Sequence, residues 1–280
     1  MIQLLTILLT MLLALPVKAK DLPRLGVFGA VQSVSPLVVA GQEVILPEGV
    51  PVISPLGLGQ TIGGGDTLAI RVNLEQGVLT ATRVLQIHPI IGPVSFVHGN
   101  TATIMGTSTH VPPDTKIEAG SWVALSGFWS GEKVITMALR EINRSGFGHI
   151  TGVVSNTDIK LGGTALRGAQ VPQEGFQDHI WMFSGSPEDA GLRVRLIAKG
   201  IFGGEIDLAL WQGYASLPIA SQTYTIHGTG LIGTAHDALM PGAGTLITRC
   251  GYEGRFVDVA PNGMEAEFAA LGCLEDTLAD

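Results

Sequence analysis

Seven histidines and two cysteines are the side chains of this 280-residue chain best suited to chemistry near neutral pH. His98 and His110 stand twelve residues apart and His227 and His236 nine apart, in corresponding places of two related segments. Either spacing brings two imidazoles together across a hairpin. Transition metals need three or four ligands, with a carboxylate or thiolate among them, and only Asp114 and Asp237 stand nearby. Both pairs therefore read as solvated loop histidines, and no metal is expected. His236-Asp237 supplies two members of a hydrolytic triad, but no serine has the G-x-S-x-G surroundings of a nucleophile elbow. GQTIGGGD (59–66) is rich in glycine, yet no lysine follows it. It leads into a strand, so it offers no helix N-terminus to a phosphate. Catalytic residues and cofactors are not expected, and the chain reads as a non-enzyme.

Aromatic rings are the stronger hint. Trp122, Phe128 and Trp129 fall within eight residues, and Trp181 and Phe183 occupy the matching stretch of a later segment. Rings on a small barrel can stack bases or sugars. Alternation along a strand sends Trp122 and Ala124 to one face and Val123 and Leu125 to the other, so most of these rings must fill cores. Trp129, beside a hairpin turn, is the candidate for an exposed contact ring, and Phe128 is its neighbour in a candidate binding pair.

The elements that position these rings are hairpins. GSWVALSGFWSGEKVITMALREI (120–142) alternates apolar and polar residues on both sides of a short glycine-bearing connection, the pattern of a hairpin with one buried face. Residues 64–87, 179–200 and 244–260 share that plan. Each hairpin closes a longer unit. The units open on Gly29-Ala30-Val31-Gln32, Gly92-Pro93-Val94-Ser95, Gly148-His149-Ile150-Thr151 and Gly213-Tyr214-Ala215-Ser216, at spacings of 63, 56 and 65 residues. Twelve to fifteen residues further on, a short strand meets a turn glycine: Gly41, Gly106, Gly162 and Gly228. About fifty-five residues with five short strands are too few for a two-sheet sandwich and suit a small barrel of the OB type. The expected fold is all-β: about four tandem OB-like Greek-key β-barrels with a short C-terminal helix. The units span 24–88, 91–143, 147–203 and 211–261, and a helical tail covers 262–280. Residues 201–213 form a longer junction, expected to make a helical turn around Leu208, Leu210 and Trp211. Short apolar junctions imply barrels packed on one another in a row.

The first nineteen residues read as an export signal: Leu4 to Leu15 is apolar, Pro16 breaks the run, and Val17-Lys18-Ala19 suits a signal peptidase. That run is too short to cross a bilayer, and no membrane span is expected after cleavage. The mature chain keeps 15 Lys plus Arg against 24 Asp plus Glu. This acidic balance argues against nucleic acid and anionic lipid as partners. Glycine, at 38 positions, is about twice as common as usual, and charged residues make up only 14%, which favours many short strands and tight turns. A periplasmic or secreted location would oxidise Cys250 and Cys273 to a disulfide, tying the tail, with Met264, Phe268 and Leu271 on one helical face, to the last barrel.

The G-x-V-x-S opening, the mid-unit turn glycine, the G-D-x-[LV] step at Gly65-Asp66-Thr67-Leu68 and the strand Gly77-Val78-Leu79-Thr80-Ala81 resemble exported bacterial modules grouped as domain of unknown function family 5666. The likeness spans most of residues 24–260, is best in the first two units, and lacks the Gly-Asp step in the last two. It implies an OB-like exported β module with no established activity. The function expected is protein interaction or scaffolding with a partner in the envelope. The alternative is binding of glycan or cell wall in aromatic clefts.

Overall fold

The computed structural model describes residues 22–113, 115–155, 159–168, 179–218, 223–234 and 242–273. The expected leader, Asp114 and the His236-Asp237 pair lie outside them. Among the described residues twenty-two strands and one helix form four units. The first holds β1 (Leu25–Val34), β2 (Leu37–Val39), β3 (Gln42–Glu43), β4 (Val52–Ser54), β5 (Gly57–Leu58), β6 (Thr67–Glu75) and β7 (Val78–Ile87). The second holds β8 (Ile90–His98), β9 (Thr101–Ile104), β10 (Thr107–His110), β11 (Trp122–Ser130) and β12 (Lys133–Ile142). Then come β13 (Gly148–Gly152), β14 (Lys160–Leu161), β15 (Thr164–Arg167), β16 (Trp181–Glu188) and β17 (Gly191–Lys199). The last unit is β18 (Leu208–Tyr214), β19 (Thr223–Thr225), β20 (Ile232–Thr234), β21 (Leu246–Tyr252) and β22 (Arg255–Val257), followed by α1 (Glu265–Ala270).

All four units follow one pairing order: first, second, third, fifth and fourth strand, then back to the first. In the second unit β8, β9, β10, β12 and β11 close into a ring, antiparallel throughout except for the β10–β12 pair. The first unit repeats this with β1, β2, β3, β7 and β6, its parallel contact made by Ile45 with Thr80. The β4–β5 hairpin is an addition, carried in parallel on β7. The third and fourth units use β15–β17 and β20–β22 as the parallel pair. Their first and second strands meet in the third unit where Ser155 N donates to Lys160 O at 3.0 Å, and in the fourth at a bridge between Ala215 and Ile226. Five short strands close because closure removes edges that so few charges could guard.

The recurring glycines have a physical role at each place. Gly41, Gly106, Gly162 and Gly228 all lie in the turn from second to third strand. Ala40-Gly41 and Met105-Gly106 have φ of 52° and 83°, and 50° and 92°, the double positive φ of the two-residue turns that match strand twist. The opening glycines make room for what precedes those turns. A Cβ on Gly29, Gly92 or Gly213 would fall 2.6, 2.9 or 2.4 Å from Ala40, Met105 or Ile226.

The barrels do not form the expected row. β1 pairs in parallel with β18, from Leu25–Leu208 to Phe28–Trp211, so the first unit joins the fourth. β8 pairs with β13 at Ile91–His149 and Ile90–Ile150, so the second joins the third. The expected helical turn at Leu208, Leu210 and Trp211 is instead strand β18. Its backbone groups are taken up by β1 on one side and β21 on the other, and this pairing outweighs the local preference. Besides a core in each pair, a third cluster forms between the pairs, containing Phe28, Ala69, Phe128, Ile180, Ile201 and Phe202. Helix α1 buries Phe268 in the core shared by Leu25, Val27 and Leu208, as does the next residue but two, Leu271. Cys250 and Cys273 lie at disulfide distance, with Cα atoms 5.7 Å apart. No helix among the described residues is long and apolar enough to cross a membrane.

Candidate functional site

Strand β11 carries both ring candidates, and it is buried on both faces. One face lines its own barrel and the other meets the neighbouring barrels. Trp129 is therefore not an exposed contact ring: it is 6% exposed and belongs to the core of the second and third units. Its Nε1–H donates to Thr151 O at 2.7 Å. A Cβ on Gly152, Gly162 or Gly228 would come within 2.8, 2.7 or 2.5 Å of the indole, so the ring is held where three barrels meet. Phe128 points the other way, into the central cluster, edge-on to Phe28 at 5.9 Å and to Tyr214 at 6.4 Å. Trp211 completes the cluster, 5.5 Å from Phe28 and 5.3 Å from Phe202. Trp122 and Phe183 are buried as well. Inter-barrel packing is what a reading of one barrel at a time leaves out.

His98 and His110 are exposed and flank Thr101 from either side of β9. Among the described residues no three His, Cys, Asp or Glu side chains come together as a metal site would need. His227 is half-buried, which pushes its imidazole below the usual histidine range, and it lines a small central cavity with Phe28, Phe128, Trp129 and Ile201. That cavity, about 20 Å³, has room for a single water. An extended sugar does not fit it.

The buried polar chemistry lies elsewhere, on residues whose spacing carries no motif. Asp66, 1% exposed, accepts hydrogen bonds from Gly63 N at 2.7 Å and Gln86 Nε2 at 2.8 Å, and pairs with the Arg140 guanidinium of the second unit. The loop at 59–66 thus folds around a carboxylate that ties two barrels. Only the Gly-Asp step at 65–66 hinted at it. His88 sits in the junction between those barrels, its Nδ1 3.0 Å from Leu125 O. Burial pushes its imidazole down to about 4. His149, on the seam between the second and third units, has Ser184 Oγ and Thr151 Oγ1 each 2.7 Å from its ring nitrogens. Burial, aided by the nearby His88, pushes it down to about 3. A neutral imidazole with so low an affinity for protons is a weak base for Ser184, and both its nitrogens are already occupied in packing the seam. No family model, curated protein or solved structure matches this chain.

Proposed function

We propose that this chain is a non-catalytic exported protein of the bacterial envelope, a cluster of OB-like barrels whose outer surface holds a protein partner. The observation that carries the reading is the placement of the rings: Phe28, Phe128, Phe202, Trp211 and Tyr214 pack between barrels, with Trp129 under the glycine turns. Barrels locked in this way keep their outer loops at fixed separations, which lowers the ordering penalty of binding. Export, to the periplasm or medium, is supported by the signal-like residues 1–19 and by the Cys250–Cys273 pair. The likeness to family 5666 belongs to the same reading. Photo-crosslinkers placed in the outer loops of the mature chain, mixed with the envelope fraction, should give one discrete protein adduct that unlabelled chain competes away. An envelope fraction that yields no such adduct contradicts the reading.

Glycan binding is the second reading, and one observation favours it. Phe96 is 60% exposed and lies flat against His98, ring centroids 6.4 Å apart and planes within 13°. That is an open stacking surface on β8, away from the buried rings. Calorimetry with cell-wall fragments decides: heat that is lost in Phe96→Ala favours it, and no heat from the unaltered chain removes it.

A further inference from the structure

Arg71 and Arg83 stand directly opposite each other on β6 and β7. Like charges in that position weaken an antiparallel pair, and a pair of arginines normally has a carboxylate between or beside it. Arg24 holds two, and Arg140, Arg167 and Arg193 hold one each. Among the described residues Arg71 and Arg83 have no ion pair, and the Nε of Arg83 is buried without a hydrogen-bond partner. The nearest chain segment keeps its own acids turned aside: Glu205 and Asp207 are both held by Arg24, at 2.7 and 2.6 Å.

That segment brings a glycine pair to the two guanidiniums. Gly203 and Gly204 have φ of 68° and 155°. A Cβ on Gly203 would fall 2.6 Å from Arg83 Cζ, and one on Gly204 3.1 Å from Arg71 Nη1. Both guanidinium groups therefore lie against one bare two-residue turn. Phe202, the residue before this turn, has its ring in the space a side chain at Gly26 would need. We propose that Arg71, Arg83 and the Gly203-Gly204 turn form a binding site for a tetrahedral oxyanion, phosphate or sulfate. Donors arriving from two strands surround a tetrahedral group, whereas a planar carboxylate is matched by the fork of a single arginine. The anion would neutralise the opposed charges of the two guanidinium groups. The chain as a whole carries a net charge of −8, so it does not gather anions by its field. Selection is local, and the twelve-residue spacing of the two arginines conceals it in the sequence. The site lies apart from the Phe96–His98 surface and does not depend on a protein partner.

Calorimetry on the mature chain, with inorganic phosphate and sulfate against chloride at matched ionic strength, tests this. Saturable binding of one anion per chain is expected, weakened at least about tenfold in Arg71→Gln and in Arg83→Gln. Arg193→Gln, on another barrel, should bind as the unaltered chain does. Glycerol phosphate separates the sources: equal binding assigns the site to a phosphate ester, and binding of inorganic phosphate alone assigns it to the free anion. The amide resonances of Gly203 and Gly204 in the unaltered chain give a readout that needs no folded variant, and they should shift on adding phosphate. No saturable binding of either anion, binding undiminished in both arginine variants, or glycine amides that do not move would overturn the proposal.

Discussion

Trp129→Ala would remove a ring that touches glycines of two other barrels and would strand Thr151 O without its donor. A loss of about 3–5 kcal/mol is expected, measured by urea unfolding. An exposed contact ring would give almost none. Nothing near Trp129 in the sequence foretells its burial, because a barrel taken alone leaves that end of β11 open. The two buried histidines contribute sensitivity to acid. In the folded chain His88 and His149 are held at about 4 and about 3, below the 6.5 of an unfolded histidine. Between those values the unfolded chain binds more protons, so stability is complete above about pH 6.5 and falls as pH drops towards 4. The loss is on the order of several kcal/mol for both together once both are protonated in the folded chain too. The urea midpoint should be flat above pH 7 and decline below 6, and His149→Gln should flatten the decline; an unchanged profile in that variant would assign the acid sensitivity to other groups.

At the scale of elements, turn glycines were legible and strand partners at long range were not. Gly41, Gly106, Gly162 and Gly228 mark one turn in four units because a positive φ is a local demand that glycine meets cheaply. Their second role, letting barrels approach, is not local. A Cβ on Gly163 would fall 2.0 Å from Gly106 O, across the seam where Thr107 and Thr164 hydroxyls meet at 2.8 Å. Gly163→Ala should therefore part the second and third barrels there, exposing the amide at position 163, which donates to Thr107 Oγ1 at 3.0 Å across the seam, to hydrogen exchange while leaving each barrel's own ladder protected. Loss of protection throughout both barrels, or none, would count against the seam as drawn. The Cys250–Cys273 link closes a separation of 23 residues, and reducing it should lower stability by about 3 kcal/mol on the chain-entropy estimate. Because Phe268 and Leu271 pack on the first unit's core too, the reduced chain should lose protection in β1 as well as in β21. The stretch around Leu208, Leu210 and Trp211 reads as a helical turn for a related reason: its partner, β1, lies about 180 residues away.

At the scale of the whole molecule, the first unit pairs with the last and the second with the third, around a shared cluster of rings. The barrel plan could be read from spacing because each unit repeats it. The nested arrangement could not, since it rests on pairings such as Leu25–Leu208 that no local pattern records. Shared strand pairings and the common ring cluster make these four barrels one body. Native-state hydrogen exchange in rising urea, followed separately for β1, β8, β13 and β18, shows whether they open together. Protection lost from all four strands at one urea concentration is the predicted result; barrels that open one after another, each at its own concentration, would contradict it.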